Sequence, residues 1–310
     1  MIINTGIRTD IPAFYAKWFI NRLEDGYVYV RNPYYPKQII KYDLNPNVVD
    51  CIDFCTKNPK PMLKYLDKLK EYNTLWYVTI TPYGKDIETN VPDKYEVIES
   101  FKELVKKQKN SFVGWRYDPI FFNKDFNIKR HIAEFNYIAT KLKGYTKVCV
   151  ISFLDIYEKV EKNASDLIVP TEEERIIMAK EFYKIALKNG MKIYTCCEND
   201  NLAKYGLICS GCKSEEIITQ SISYKIMPPK IKPLRTGCNC LMGSDIGAYD
   251  SCYHLCRYCY ANTNKINVLK NIKNHYDDSP LLIGRVEKDD KIVKSKQQSY
   301  IAKEEQLSLF

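Results

Sequence analysis

The sequence predicts an α/β fold in which six βα repeats lay parallel strands side by side and close them into a full or partial barrel. Strand-like apolar runs alternate with helix-like periodicity six times between residues 2 and 196. The connections between them are short, as parallel strands joined by crossover helices require. The length of 310 residues is enough to bury the core of one barrel-sized domain or two smaller ones.

In order, residues 2–5 read as a short strand and 11–23 as an amphipathic helix with Pro12 in its first turn. Residues 27–30 and 38–42 flank the Pro-rich stretch 32–36 and read as a hairpin-like excursion. The repeats then continue as strand 48–54 and helix 61–70, strand 75–81 and helix 94–107, strand 111–116 and helix 128–142. Strand 147–153 is followed by a strong helix over 172–188, with Thr171 at its cap and Gly190 just beyond its end, and strand 191–196 closes the series.

No apolar run is long enough to span a bilayer, and the first residues carry neither a basic flank nor a signal-peptide core. A cytoplasmic protein with no membrane partner is the expectation. In a reducing cytosol, twelve cysteines point to metal or redox chemistry rather than to disulfides. The net charge of +9 permits a polyanionic partner. It does not demonstrate one, because the joint richness in Lys, Ile, Asn and Tyr is what an AT-rich genome produces.

Cys252, Cys256 and Cys259 are separated by three and two residues, with Tyr258 directly before the last. A loop this short can bring three thiolates to one centre, and three cannot saturate the four irons of a [4Fe–4S] cube. The alternative is a zinc knuckle whose fourth ligand is His254 or a distant cysteine. Structural zinc sites usually pair ligands as two separated Cys-x-x-Cys elements, which this loop does not. Tyr253, Tyr258 and Tyr260 are expected to pack around the centre.

This stretch, including its aromatic, resembles the cluster loop of the radical S-adenosylmethionine (radical-SAM) enzymes. The resemblance implies that the open iron holds the amino and carboxylate groups of SAM. An electron from an external donor, passed through the cube, then splits SAM to an adenosyl radical. It also implies a six-unit partial TIM-like barrel, here over residues 1–198, and we read the Cys-rich segment 199–285 as folded across the barrel mouth; the polar composition after residue 286 reads as a flexible tail over 286–310. In one respect the order departs from the family, where the cluster loop normally follows the first strand. Over nearly its whole length the chain looks like an uncharacterised bacterial family of unknown function whose C-terminal cysteines have been likened to that loop.

Active sites of parallel βα folds lie at the C-terminal ends of the strands. A SAM pocket there needs a cation or hydroxyl for the carboxylate, an acceptor for the amine and partners for the ribose. Arg8, Lys57, Arg116, Asp118, Ser152 and Glu198 are the candidates, with Arg116 and Asp118 foremost because Pro119 fixes the chain after an apolar strand. Each is also explained as a helix cap or a surface ion pair. Cys51, Cys55 and Cys149 read as small core residues. Cys196, Cys197, Cys209, Cys212, Cys238 and Cys240 concentrate in the C-terminal third, and four of them could hold a second Fe–S cluster or a zinc; the resemblance to the uncharacterised family points to Cys196, Cys212, Cys238 and Cys240. Four thiolates alone do not distinguish the metals.

The chain closes with Gln306, Leu307, Ser308, Leu309 and Phe310 after a polar stretch. This pentapeptide is similar to the motif by which bacterial DNA polymerases and repair proteins bind the replication sliding clamp. A solvated linker carrying three apolar anchors is what a peptide-in-groove contact requires. Three functions follow: a radical-SAM enzyme acting on DNA, the same chemistry on RNA, a peptide or a small molecule, or a metal-stabilised, DNA-associated binding protein without catalysis.

Overall fold

A computed structural model describes residues 1–108, 111–198, 200–228, 238, 240, 241 and 243–302. The alternation of strand and helix appears as expected. Strands β1 (Ile2–Asn4), β4 (Cys51–Thr56), β5 (Thr74–Thr79), β6 (Phe112–Ile120), β7 (Val148–Phe153) and β8 (Lys192–Thr195) are joined by crossovers. These contain α1 (Ile11–Phe14), α2 (Ala16–Glu24), α3 (Lys94–Lys107), α4 (Ile128–Leu142), α5 (Glu158–Asn163) and α6 (Glu172–Lys188). β2 (Tyr27–Arg31) and β3 (Gln38–Asp43) form the antiparallel excursion. Side-chain caps start most helices: Asp93 for α3, Asn127 for α4, and a Thr171–Glu174 capping box for α6.

One long helix over 11–23 is not formed. It breaks at Tyr15, whose φ of −130° is non-helical and whose hydroxyl donates to the Ser251 carbonyl at 2.6 Å. The stretch Lys60–Leu69 is a 3₁₀ rather than an α-helix, and Pro61 near its start removes a backbone donor.

The sheet has seven strands, all parallel, in the order β8-β7-β6-β5-β4-β1-β9. Its last member, β9 (Ser244–Asp245), comes from the Cys-rich segment. β8 and β9 are the two edges, so the sheet is open, and the expected closure into a barrel is not seen among the described residues. Strand alternation supplies the physical reason, because each face has its own cover. Phe54, Trp76, Trp115, Tyr117 and Ile151 face the helices and pack with Trp18, Phe101, Phe135 and Phe182. Cys51, Leu75, Tyr77, Val148, Val150 and Tyr194 face the other way, against Ile217, Ile218 and Ile222 of α7 (Glu215–Ile222). Chain from the Cys-rich segment, rather than barrel closure, therefore buries the second face.

The chain after residue 286 is not the free tail expected from its composition. β10 (Lys291–Lys294) pairs in parallel with β3, Arg31 and Asp290 form an ion pair, and Asp50 accepts from the Ser299 hydroxyl and the Tyr300 N–H. Composition missed this because all four β10 residues are exposed, so the strand carries no apolar signature. Gln306, Leu307, Ser308, Leu309 and Phe310 lie outside the described residues.

Candidate metal centre

The C-terminal ends of all seven parallel strands lie at the same end of the sheet, and β9 runs directly into the stretch that carries Cys252, Cys256 and Cys259. The loop is pinned at both ends. Asp250, with φ of +53°, accepts from the Thr263 N–H and hydroxyl, and the Asn262 amide donates to the Cys252 carbonyl at 2.8 Å. Its middle is laid against the loop after β5. Cys256 pairs with Glu88 as an isolated antiparallel bridge, the Arg257 N–H donates to the Ile87 carbonyl, and the Asn90 N–H to that of His254. After the loop, α8 (Lys265–Lys273) starts on an Asn264 cap.

Burial pushes the Cys252 and Cys256 thiols well above their usual value, Cys259 adding to the effect on the first and Glu88 to that on the second. Cys259 is raised too, chiefly by burial. The thiols sense one another's charge, yet no hydrogen bond joins any two of them among the described residues. Beside Cys256 lies a buried polar knot. Oε1 of Glu88 accepts from Lys57 Nζ at 2.8 Å, from the Thr81 hydroxyl at 2.7 Å and from the Tyr258 phenol. Burial opposes the charge on Lys57, but Glu88 and Cys256 together hold its pKa above the ordinary value. On the other flank, Asp10 caps α1 and accepts from the Lys57 N–H at 2.7 Å. It also pairs with His254 Nε2 at 2.8 Å. His254 Nδ1 is buried with no partner among the described residues.

The expected strand-end residues divide between two places. Lys57 belongs to the loop's surroundings. Arg8 holds β9, its guanidinium bonding both the side chain and the carbonyl of Asp245. Arg116 pairs with Asp118 and donates to Cys212 Sγ at 3.2 Å, which places Arg116 at the second cysteine group, while the Asp118 carboxylate is also near enough to Lys57 to favour its charge. Ser152 donates to the Cys196 carbonyl at 2.9 Å. Glu198 accepts from the Phe153 N–H and pairs with Arg175, and burial raises its carboxyl to about 7. The second group itself converges in part. Cys196, Cys212 and Cys240 come together, and Cys238 is buried two residues from Cys240.

The profile of a family described as a domain of unknown function, DUF1848, matches residues 2–261. The chain belongs to this family. The match takes in the whole parallel sheet and both cysteine groups, ending two residues after Cys259. No curated protein matches the chain.

Sequence reasoning missed Glu88, Lys213, Asn4, Asp53 and Asp245. Asn4 and Asp53 are register partners on adjacent strands, each essentially fully buried. Both amide atoms of Asn4 and Oδ1 of Asp53 lack partners among the described residues, while Asp53 Oδ2 takes the Lys213 ammonium. A carboxylate inside the apolar run Cys51–Thr56 is a readable signal, because burying it unpaired is costly. Glu88 and Lys213 sit in loops, where charge is ordinary. Among the described residues, no three His, Cys, Asp or Glu side chains stand as a preformed metal site, and no helix is long and apolar enough to cross a membrane.

Proposed function

We propose that the chain is a radical-SAM-like enzyme in which Cys252, Cys256 and Cys259 hold a [4Fe–4S] cluster. The observation that carries this reading is the place of β9. In the radical-SAM family the cluster loop normally follows the first strand. Here the loop follows β9, late in the chain, yet β9 lies beside β1 and opens the spatial order β9-β1-β4-β5-β6-β7-β8. A late position in sequence is thus a first position in space, as though the βα units were read from a different starting point.

The donor set fits such a group. Three soft thiols share one loop without hydrogen-bonding one another, and each is raised by burial, so metal binding would release their protons. When bound, a cube with three thiolate ligands supplies an open iron that takes SAM and passes it an electron. Lys57 places a cation beside Cys256, and Glu88 fixes both Lys57 and the Tyr258 ring. Asp10 orients His254 through Nε2. The unpartnered Asn4 amide offers a donor and an acceptor at the end of β1. For the substrate we favour DNA, with recruitment to the sliding clamp through Gln306–Phe310.

One observation favours a second reading. A histidine that donates one ring nitrogen to a carboxylate and leaves the other bare is how metal-ligating histidines are usually held. His254 and Asp10 have this arrangement, so a zinc knuckle of Cys252, Cys256, Cys259 and His254 is the competitor. Anaerobic purification separates them. The cluster predicts brown protein with about four irons per chain, lost on Cys252→Ala, Cys256→Ala or Cys259→Ala, and release of 5′-deoxyadenosine from SAM after reduction with dithionite. Zinc alone in the loop, or a cluster whose spectrum ignores SAM, overturns the radical reading.

A further inference from the structure

The second group of cysteines has a different geometry from the first. Cys196 follows β8, Cys212 precedes α7 and Cys240 lies four residues before β9, so three distant stretches bring one thiol each to the same side of the sheet. The sulfurs of Cys212 and Cys240 are 3.5 Å apart, and the Cys196 thiol lies beside both of them as well as beside its chain neighbour Cys197. Around one tetrahedral ion with metal–sulfur bonds of about 2.3 Å, neighbouring sulfurs stand about 3.8 Å apart. The thiolates of a four-iron cube stand farther apart, because each caps a different iron. The contact distance in this group is nearer to the spacing around a mononuclear ion than to that across a cube.

The surrounding charge points the same way. Four thiolates around a divalent ion carry excess negative charge, and buried cations lie beside this set. Arg116 donates to Cys212 Sγ at 3.2 Å, and Lys213, paired with Asp53, is close enough to feel the Cys212 charge. Cys209, three residues before Cys212, packs instead with the helix-side core. Without a metal the thiols hydrogen-bond to one another, through protons that an incoming ion displaces. This is why they are not already spread as a preformed ligand set.

We propose that Cys196, Cys212 and Cys240 bind one zinc ion, with Cys238, buried two residues before Cys240, as the fourth ligand. The inference stands apart from the reading of the 252–259 loop. A closed four-thiolate site has no open position and is structural. It ties the end of β8, the start of α7 and the approach to β9 to one point. β9 pairs with β1 through only two residues, so a tether just ahead of it fixes the strand from which the cluster loop departs.

The test is the metal content of the full-length chain purified from zinc-supplemented cells. Wild type is expected to hold about one zinc per chain. The triple variant Cys252→Ala/Cys256→Ala/Cys259→Ala should keep that zinc while losing its iron, which separates this proposal from the one for the loop. Cys196→Ser, Cys212→Ser, Cys238→Ser and Cys240→Ser should each lose zinc, and Cys209→Ser should keep it. Because a serine variant can fail to fold, wild type is also examined by zinc K-edge absorption, which should show four sulfurs at about 2.3 Å. Wild type with only traces of zinc, iron rather than zinc in the triple variant, or a Cys212–Cys240 disulfide in the native chain would each overturn the proposal. Loss of zinc in Cys197→Ser but not in Cys238→Ser would overturn the assignment of the fourth ligand.

Discussion

Lys57 and Glu88 are sealed beneath the cysteine loop with side chains only 13% and 3% exposed. Removing one partner of such a pair strands the other charge, at a cost of roughly 3–5 kcal/mol. Lys57→Met is therefore expected to lower stability by about that amount in urea unfolding, with Lys57→Met/Glu88→Gln recovering most of it. A single variant as stable as wild type would mean that Glu88 finds another cation or takes up a proton. Glu198 makes a prediction of the opposite kind. Burial raises its carboxyl from 4.5 to about 7, so the folded chain holds this proton more tightly than the unfolded one. Its contribution is most favourable below pH 4.5 and falls as pH rises to about 7, then stays constant. The full span is ~3 kcal/mol. Glu198→Gln should flatten that part of the pH–stability profile, which urea midpoints measured across the range would show. An unchanged slope would place the titration elsewhere.

Among the elements, α6 and β10 differ in what holds them. The capping box satisfies orphan donors at the start of α6, and Thr171→Ala should cost about 1 kcal/mol. β10 contributes hydrogen bonds rather than apolar burial, since its residues are exposed. Deleting residues 291–310 removes the parallel partner of β3 and takes the Ser299 and Tyr300 donors from Asp50. A loss of about 1–3 kcal/mol is expected from the unmet acceptor. A truncated chain that melts like wild type would show that β10 merely lies on the surface. Composition distinguished these two cases poorly. Thr171 and Glu174 are recognisable three residues apart, whereas Lys291–Lys294 looks like any solvated stretch.

For the whole molecule, the proposed chemistry and the proposed location are tested separately. Burying Leu307, Leu309 and Phe310 in a groove contributes roughly 1.5–3 kcal/mol each before ordering costs. Those costs take back several kcal/mol, so micromolar binding suited to transient recruitment is expected. A peptide covering residues 303–310 should bind the bacterial sliding clamp, and Leu309→Ala/Phe310→Ala should abolish binding. SAM cleavage by the full chain should be unaffected by that change. Absence of binding at high micromolar clamp would remove the main support for a DNA-related role and leave the substrate class open.

By itself the sequence determined the βα alternation, the hairpin excursion, the α6 cap and the spacing of Cys252, Cys256 and Cys259. Each is a local property, written in periodicity, cap chemistry or distance along the chain. Only the tertiary structure decided that β9 lies beside β1, that the sheet stays open, and that Cys196, Cys212 and Cys240 meet. It alone placed Arg116 at those thiols and Glu88 beneath the loop. β9 is Ser244–Asp245, two polar residues with no apolar run to announce a strand. Its pairing comes from the backbone of β1 and from Arg8 on Asp245, partners more than 230 residues away in the chain. Such contacts depend on which surfaces remain to be covered once the helices have packed, and no short window of sequence contains that information.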